Sequence, residues 1–158
     1  MRLTLHADYS MRVLIYLACY QDRLVSTAEI SKAYDISRHH LVRVVLKLGH
    51  KGFIKVQPGR GGGLRLARDA QEIVIGEVIR ATEPDFHWVE CFGDQSACPI
   101  SPTCALKDIL GEAGKAFLKV LNSYTLADVV TPANTQLRNY FLKPLVLKRS
   151  SKAKDLQS

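Results

Sequence analysis

Two helix starts follow each other within "STAEISKAYDISRHHLVRVVLKLGHKGF" (26–53), and no other stretch restricts the fold as much. Ser26 stands as an N-cap with Glu29 three residues on, the reciprocal pairing of a capping box. A short helix fits before a tight break at Asp35-Ile36, and Ser37 then caps a longer one. Leu41, Val44, Val45 and Leu48 line one face of that second helix, and Gly49 or Gly52 ends it. Upstream, "DYSMRVLIYLACY" (8–20) predicts a first helix, with Asp8 as its cap and Met11, Leu14, Ile15 and Ala18 at helical spacing. Downstream, Phe53, Ile54 and Val56 suit a strand, Pro58 to Gly63 form a loop, and Leu64 and Leu66 alternate with arginines in a second strand. Helix, short helix, turn, helix, hairpin is the order of a winged helix-turn-helix. The expected fold is therefore mainly α with a small β-hairpin wing.

Charge is unevenly placed. Residues 1–70 carry a net +7, residues 71–142 a net −4 and residues 143–158 a net +4. A basic first half is the electrostatic footprint expected for a polyanion. In a helix-turn-helix the second helix enters the major groove with its N-terminal residues toward base edges. Here those residues are Ser37, Arg38, His39, His40 and, one turn on, Arg43. Arginine forks suit guanine or phosphate. Adjacent histidines on a helix point about 100° apart, which makes a poor chelate and favours DNA over metal for the pair. "GRGGG" (59–63) is not a phosphate-binding loop, because no Lys-Ser/Thr and no helix follow it. As a wing tip its glycines Gly61 and Gly62 allow close approach to a backbone, and Arg60 is placed to enter a minor groove.

Beyond the wing, "IVIGEVIRAT" (73–82) predicts a turn and a helix, closing a DNA-binding domain over 1–82. Residues 83–104 form a non-periodic loop holding three of the four cysteines, Cys91, Cys98 and Cys104. Cys19 lies in an apolar helical run and is expected in the core. Leu106, Ile109, Leu110, Ala113, Phe117 and Leu121 then recur at steps of three and four, one long amphipathic helix expected to mediate dimerisation. With a further helix begun by "TLAD" it makes up a segment 105–142, and 143–158 is a basic tail expected to be disordered. No apolar run is long enough to cross a bilayer and no signal-peptide cleavage site is visible, so a cytoplasmic protein is expected. In that reducing compartment, clustered cysteines point to metal or redox chemistry rather than disulfides. Three thiolates select zinc, copper(I) or an iron–sulfur cluster, and leave a four-coordinate centre one ligand short; three redox-active thiols are the alternative. No nucleophile–base–orienter set is present, which argues against an enzyme.

The stretches "LTLHADYSMRVLIYLA", "ISRHHLVRVVLKLGHKGFI", "GRGGGLRLA" and "YTLADVV" resemble the winged-helix iron–sulfur regulators, and among them the nitric-oxide-sensing repressors. The likeness runs from residue 1 to about 130. It implies a homodimer with crossing long helices on a partly palindromic DNA operator. It also implies a [4Fe-4S] cluster on Cys91, Cys98 and Cys104, with Asp8 of the partner subunit as fourth ligand and nitric oxide as signal. Arg12, one turn from Asp8, is then positioned to pair with that carboxylate when it is off iron. The cluster-assembly regulators of this family place a histidine three residues after the last cysteine, where this chain has Lys107. A redox- or iron–sulfur-status regulator with a [2Fe-2S] cluster, and a zinc-stabilised DNA-binding module, are the rival expectations. His87 and Trp88 flank the loop, and Glu83 and Glu90 are spare oxygen donors beside it.

Overall fold

A computed structural model describes residues 2–87, 89–93, 97–130 and 134–142. Trp88 and the basic tail lie outside them. The elements, in order, are α1 (Leu5–Cys19), α2 (Thr27–Tyr34), α3 (Arg38–His50), β1 (Ile54–Gln57), β2 (Gly63–Leu66), α4 (Ile75–Thr82), α5 (Ala105–Asn122), α6 (Leu126–Val130) and α7 (Asn134–Leu142). The strands pair antiparallel, Ile54 opposite Leu66 and Gln57 opposite Gly63, and Val25 adds an isolated bridge to Leu64. This is the winged helix-turn-helix with a long helix appended.

Local chemistry sets most of the element ends. Ser26 and Glu29 complete the capping box. Asp35 ends α2 in the left-handed region at φ 54, so the chain turns sharply into the Ser37 cap of α3. Gly52 takes φ 73 just past α3, a conformation cheap only for glycine. The start of α1 departs from expectation. Thr4, not Asp8, is its cap, with the hydroxyl accepting from the Ala7 N–H at 3.2 Å. The reason is long-range. Glu83 accepts from the Thr4 N–H at 2.8 Å and from its hydroxyl at 3.1 Å, and Ala7 is fully buried, so the helix is held one turn further upstream. Asp8 is thereby left in the first turn with its side chain uncommitted to the backbone.

α1 is the central rod. Val13, Leu14 and Leu17 meet Ile30, Leu41, Val44 and Leu48 from the helix-turn-helix and Val78 and Ile79 from α4, all essentially inaccessible to solvent. Burying each such side chain contributes about 1.5–3 kcal/mol. After α4 the chain leaves this core, makes the cysteine loop and α5, and returns. The return is fixed by backbone bonds from Ile75 N to Tyr124 O (2.9 Å) and Leu126 N to Ile73 O (2.8 Å). Gly76 lets α5 sit close on α4, since a Cβ there would collide with the Asn122 amide oxygen. α6 then packs on α1 through buried Leu126 and Val130. α7 closes over the far end of α1: Arg138 donates to the Cys19 carbonyl and Asp22, and Phe141 packs between Tyr16 and Tyr34.

Candidate nucleic-acid interface and metal centre

The recognition face is built by α3. Its core stripe, Leu41, Val44, Val45 and Leu48, is buried, which turns Ser37, Arg38, His39, His40 and Arg43 outward, all exposed. Ser37 Oγ accepts from the His40 N–H at 3.4 Å, and the two histidine rings stand edge to face at 6.2 Å. Two residues passed over in the sequence belong to this face. Val42 and Leu46 are 50% and 62% exposed. The signal was their position outside the core stripe, and exposed apolar groups there suit thymine methyls.

The wing tip owes its shape to glycine. Gly59 and Gly61 have φ 93 and 75, and a Cβ on Gly62 would run into the Gln57 carbonyl oxygen. Arg60 is exposed at the apex, and the strands set Lys55 directly opposite Arg65, both exposed. Like charges facing across a ladder destabilise it, so an anion beside this pair would relieve the strand. The wing and α3 thus each carry exposed cationic side chains.

The cysteine loop hangs from the C-terminal end of α4. Cys19 is fully buried and its thiol is pushed up by burial, whereas Cys91, Cys98 and Cys104 are half-buried. Cys91 lies in a short 3-10 turn (Glu90–Phe92), and Cys104 is the N-cap residue of α5, where its side chain makes no capping bond. The positive end of that helix favours an anionic ligand. Glu90 accepts from the Ala97 N–H at 3.1 Å, which ties the neighbours of Cys91 and Cys98 together; Glu83 is engaged by Thr4. Each carboxylate is thus committed through one of its two oxygens. Among the described residues no three ligating side chains lie close enough together to hold a metal. In kind, the donors fit an iron–sulfur cluster: three soft sulfurs from one partly open loop, with a fourth position left to another element.

Asp8 lies on α1 and, among the described residues, forms no metal-holding group with these thiols. Its carboxylate is held bidentately by Arg12, at 2.7 and 3.1 Å, and both side chains are 40% exposed. The Arg12 guanidinium also sits over the rings of Tyr9 and Tyr34, at 5.7 and 5.8 Å. Burial pushes the Tyr34 hydroxyl well above its ordinary value, so the ring stays neutral beside the cation. Near the start of α1, burial lowers the pKa of His6, with Lys47 adding to the effect, and its shielded Nε2 has no partner among the described residues. Lys47 of α3 donates to the Thr82 carbonyl at 3.0 Å, joining the recognition helix to the root of the cysteine loop. A cleft of about 520 Å³ opens there, between Thr4, Glu83, Phe86, His87 and Phe117.

A groove-reading helix, a cationic wing and an appended helix define a DNA-binding transcriptional regulator of the winged helix-turn-helix class. Residues 3–132 match the Rrf2 family, described as iron-dependent transcriptional regulators, and the chain belongs to that family. The HTH-type transcriptional regulator NsrR of Bacillus subtilis is 48% identical over 132 residues, 82% of this chain and 90% of the relative. That of Halalkalibacterium halodurans is 42% identical over 146 residues, 91% of this chain and all of the relative. Among solved structures, T. potens IscR superposes with a TM-score of 0.68 at 25% identity, over 84% of this chain and 88% of that one. These relatives are regulators, not enzymes, and so is this protein. No helix among the described residues is long and apolar enough to cross a membrane.

Proposed function

We propose that this protein is a cytoplasmic homodimeric repressor whose hold on a partly palindromic operator is released by nitric oxide, through a [4Fe-4S] cluster on Cys91, Cys98, Cys104 and Asp8 of the partner subunit. The observation that carries the reading is the state of Asp8. It is freed from capping, open to a second molecule, and occupied by a residue of its own helix. An exposed ion pair one helical turn apart is worth about 0.3–1 kcal/mol, so Arg12 holds the carboxylate without locking it away. Asp8 is therefore accessible to a ligand besides Arg12, and α1, which carries it, packs on the recognition helix.

Dimerisation has its own support. The stripe read along 106–121 splits in the structure. Leu110, Phe117 and Leu121 are half-buried on the side toward the body, while Leu106, Ile109, Ala113, Ala116 and Val120 are exposed. The exposed set advances by alternating steps of three and four, the seam of a helix pair, with alanines allowing close approach at its middle.

When bound, the cluster supplies iron that nitric oxide attacks. The residues of this chain do the rest. Cys91, Cys98 and Cys104 would hold the group, Cys104 from the start of α5. Asp8, a harder and weaker ligand for such iron than a thiolate, is the donor most readily lost. Without the cluster, the Asp8 carboxylate would have Arg12 as its partner, the pairing seen in this structure. A cluster shared in this way would link the cysteine loop of one subunit to α1 of the other, and its loss would remove that constraint on the spacing of the two α3 helices.

The test is the absorption spectrum of protein purified without oxygen, then titrated with nitric oxide while operator binding is followed. Brown protein that bleaches in step with loss of binding is expected. Loss of both tight binding and its nitric oxide response is expected in Asp8→Ala. Colourless, zinc-containing protein that ignores nitric oxide would overturn the proposal and leave a zinc-stabilised DNA-binding module; a two-iron spectrum with a redox response would favour the [2Fe-2S] regulator.

A further inference from the structure

Asp8 must be read by the recognition helix if its ligand exchange is to matter, and one side chain bridges the two. Tyr9 has the Arg12 guanidinium over its ring at 5.7 Å, and the same ring meets His40 of α3 edge to face, centroids 6.1 Å apart at 82°. Arg12 in turn holds Asp8 at 2.7 Å. Tyr9 is partly buried and packed on the core, so its ring cannot turn away without disturbing both contacts. His40 belongs to the outward N-terminal turn of α3. Two polar ties near the loop root, Thr4 to Glu83 and Lys47 to the Thr82 carbonyl, involve neither Asp8 nor Arg12.

We infer that Tyr9 is the positioning residue that transmits the state of Asp8 to the DNA-reading face, by way of Arg12 on one side of its ring and His40 on the other. This rests on the reading of Asp8 as a ligand that exchanges between iron and Arg12. With Asp8 on Arg12 the guanidinium is anchored at one end by a carboxylate and along its face by Tyr9 and Tyr34. With Asp8 withdrawn, that anchor is lost and the guanidinium resettles on the two rings. The Tyr9 ring follows its cation, and His40 follows the ring. The coupling thus has a defined two-state element, the carboxylate with its two partners, and a contiguous path of contacts.

The path is tested first in metal-free protein, by the ring-proton resonances of His40. Asp8→Ala is expected to shift them in the wild-type background and to leave them unmoved in Tyr9→Leu. Tyr9→Phe, which keeps the ring and loses only the hydroxyl, is expected to behave as wild type and guards against a folding defect in the leucine variant. An equal shift with and without the ring, or no shift in the wild type, overturns the inference. The second arm is operator affinity of cluster-loaded protein. Asp8→Ala is expected to weaken wild-type binding more than it weakens Tyr9→Leu, by a margin beyond the roughly twofold spread of uncoupled sites, and an equal loss in both overturns the inference. If Asp8→Ala leaves wild-type operator binding unaltered, the reading of Asp8 as a ligand fails on its own account, while the His40 resonances still decide whether the path exists.

Discussion

Ile109→Lys is the sharpest challenge to the dimer proposed above. Leu106, Ile109 and Val120 are 59%, 61% and 58% exposed in the single chain. Full burial of such a side chain yields about 1.5–3 kcal/mol, so covering the exposed three-fifths yields roughly 1–2 kcal/mol each. Three side chains in each of two chains give on the order of 5–10 kcal/mol. Association costs about 4–15 kcal/mol in lost freedom, so the seam alone sits near balance and each residue in it counts. A lysine at 109 removes about 2–4 kcal/mol over the two copies and sets two like charges near the seam. The dimer dissociation constant is therefore expected to rise at least about 30-fold. Sedimentation velocity over a dilution series of metal-free protein measures it, with Lys115→Ala, exposed but off the seam, as the control. A monomeric wild type, or an Ile109→Lys variant as dimeric as the wild type, would refute the assignment of this face.

Three further outcomes follow from the geometry. Gly62→Ala forces a methyl into the Gln57 carbonyl, which costs about 1–3 kcal/mol and should cut operator affinity while circular dichroism of the helices is preserved. Cys104→Ala should abolish cluster uptake yet leave the melting of metal-free protein within about 0.5 kcal/mol of wild type, because this thiol makes no capping bond. Glu29→Gln weakens the α2 start by about 0.5–1 kcal/mol and also alters the acid limb of stability. Burial opposes ionisation of Glu29, but Arg23 and the Ser26 N–H outweigh it and hold its pKa below the ordinary value. Its contribution is therefore present above the unfolded carboxyl pKa and lost as pH falls through the folded one. Stability measured by urea unfolding should then depend less on pH across that acid range in the variant, and unchanged pH dependence would count against the assignment.

The elements that were legible from the sequence are those decided within a few residues. The Ser26–Glu29 capping box, the Ser37 cap, the glycine after α3 and the glycine-rich wing tip are each closed by groups no more than about four residues apart along the chain, so their identity alone forecast the helix-turn-helix, the hairpin and the outward face of α3. The three thiols and their loop were equally legible, because no periodic pattern runs through them. Contacts that cross long stretches of chain had no such signature. Thr4 and Asp8 are both good caps by composition, and only Glu83, brought to Thr4 by the end of α4, decided between them. The α5 stripe was plain, but which half of it faces the body depended on α4 packing against it at Gly76. The return of α7 onto α1 and the meeting of Tyr9 with His40 likewise arise where helices from separate segments are pressed together, whereas the Asp8–Arg12 pair, one turn apart on α1, was legible from its spacing. Capping and turn chemistry act over one helical turn and can be read in order along a chain. The placing of Tyr9 against the recognition helix is set by burial of the shared core, which is a property of the packed molecule and not of any one segment.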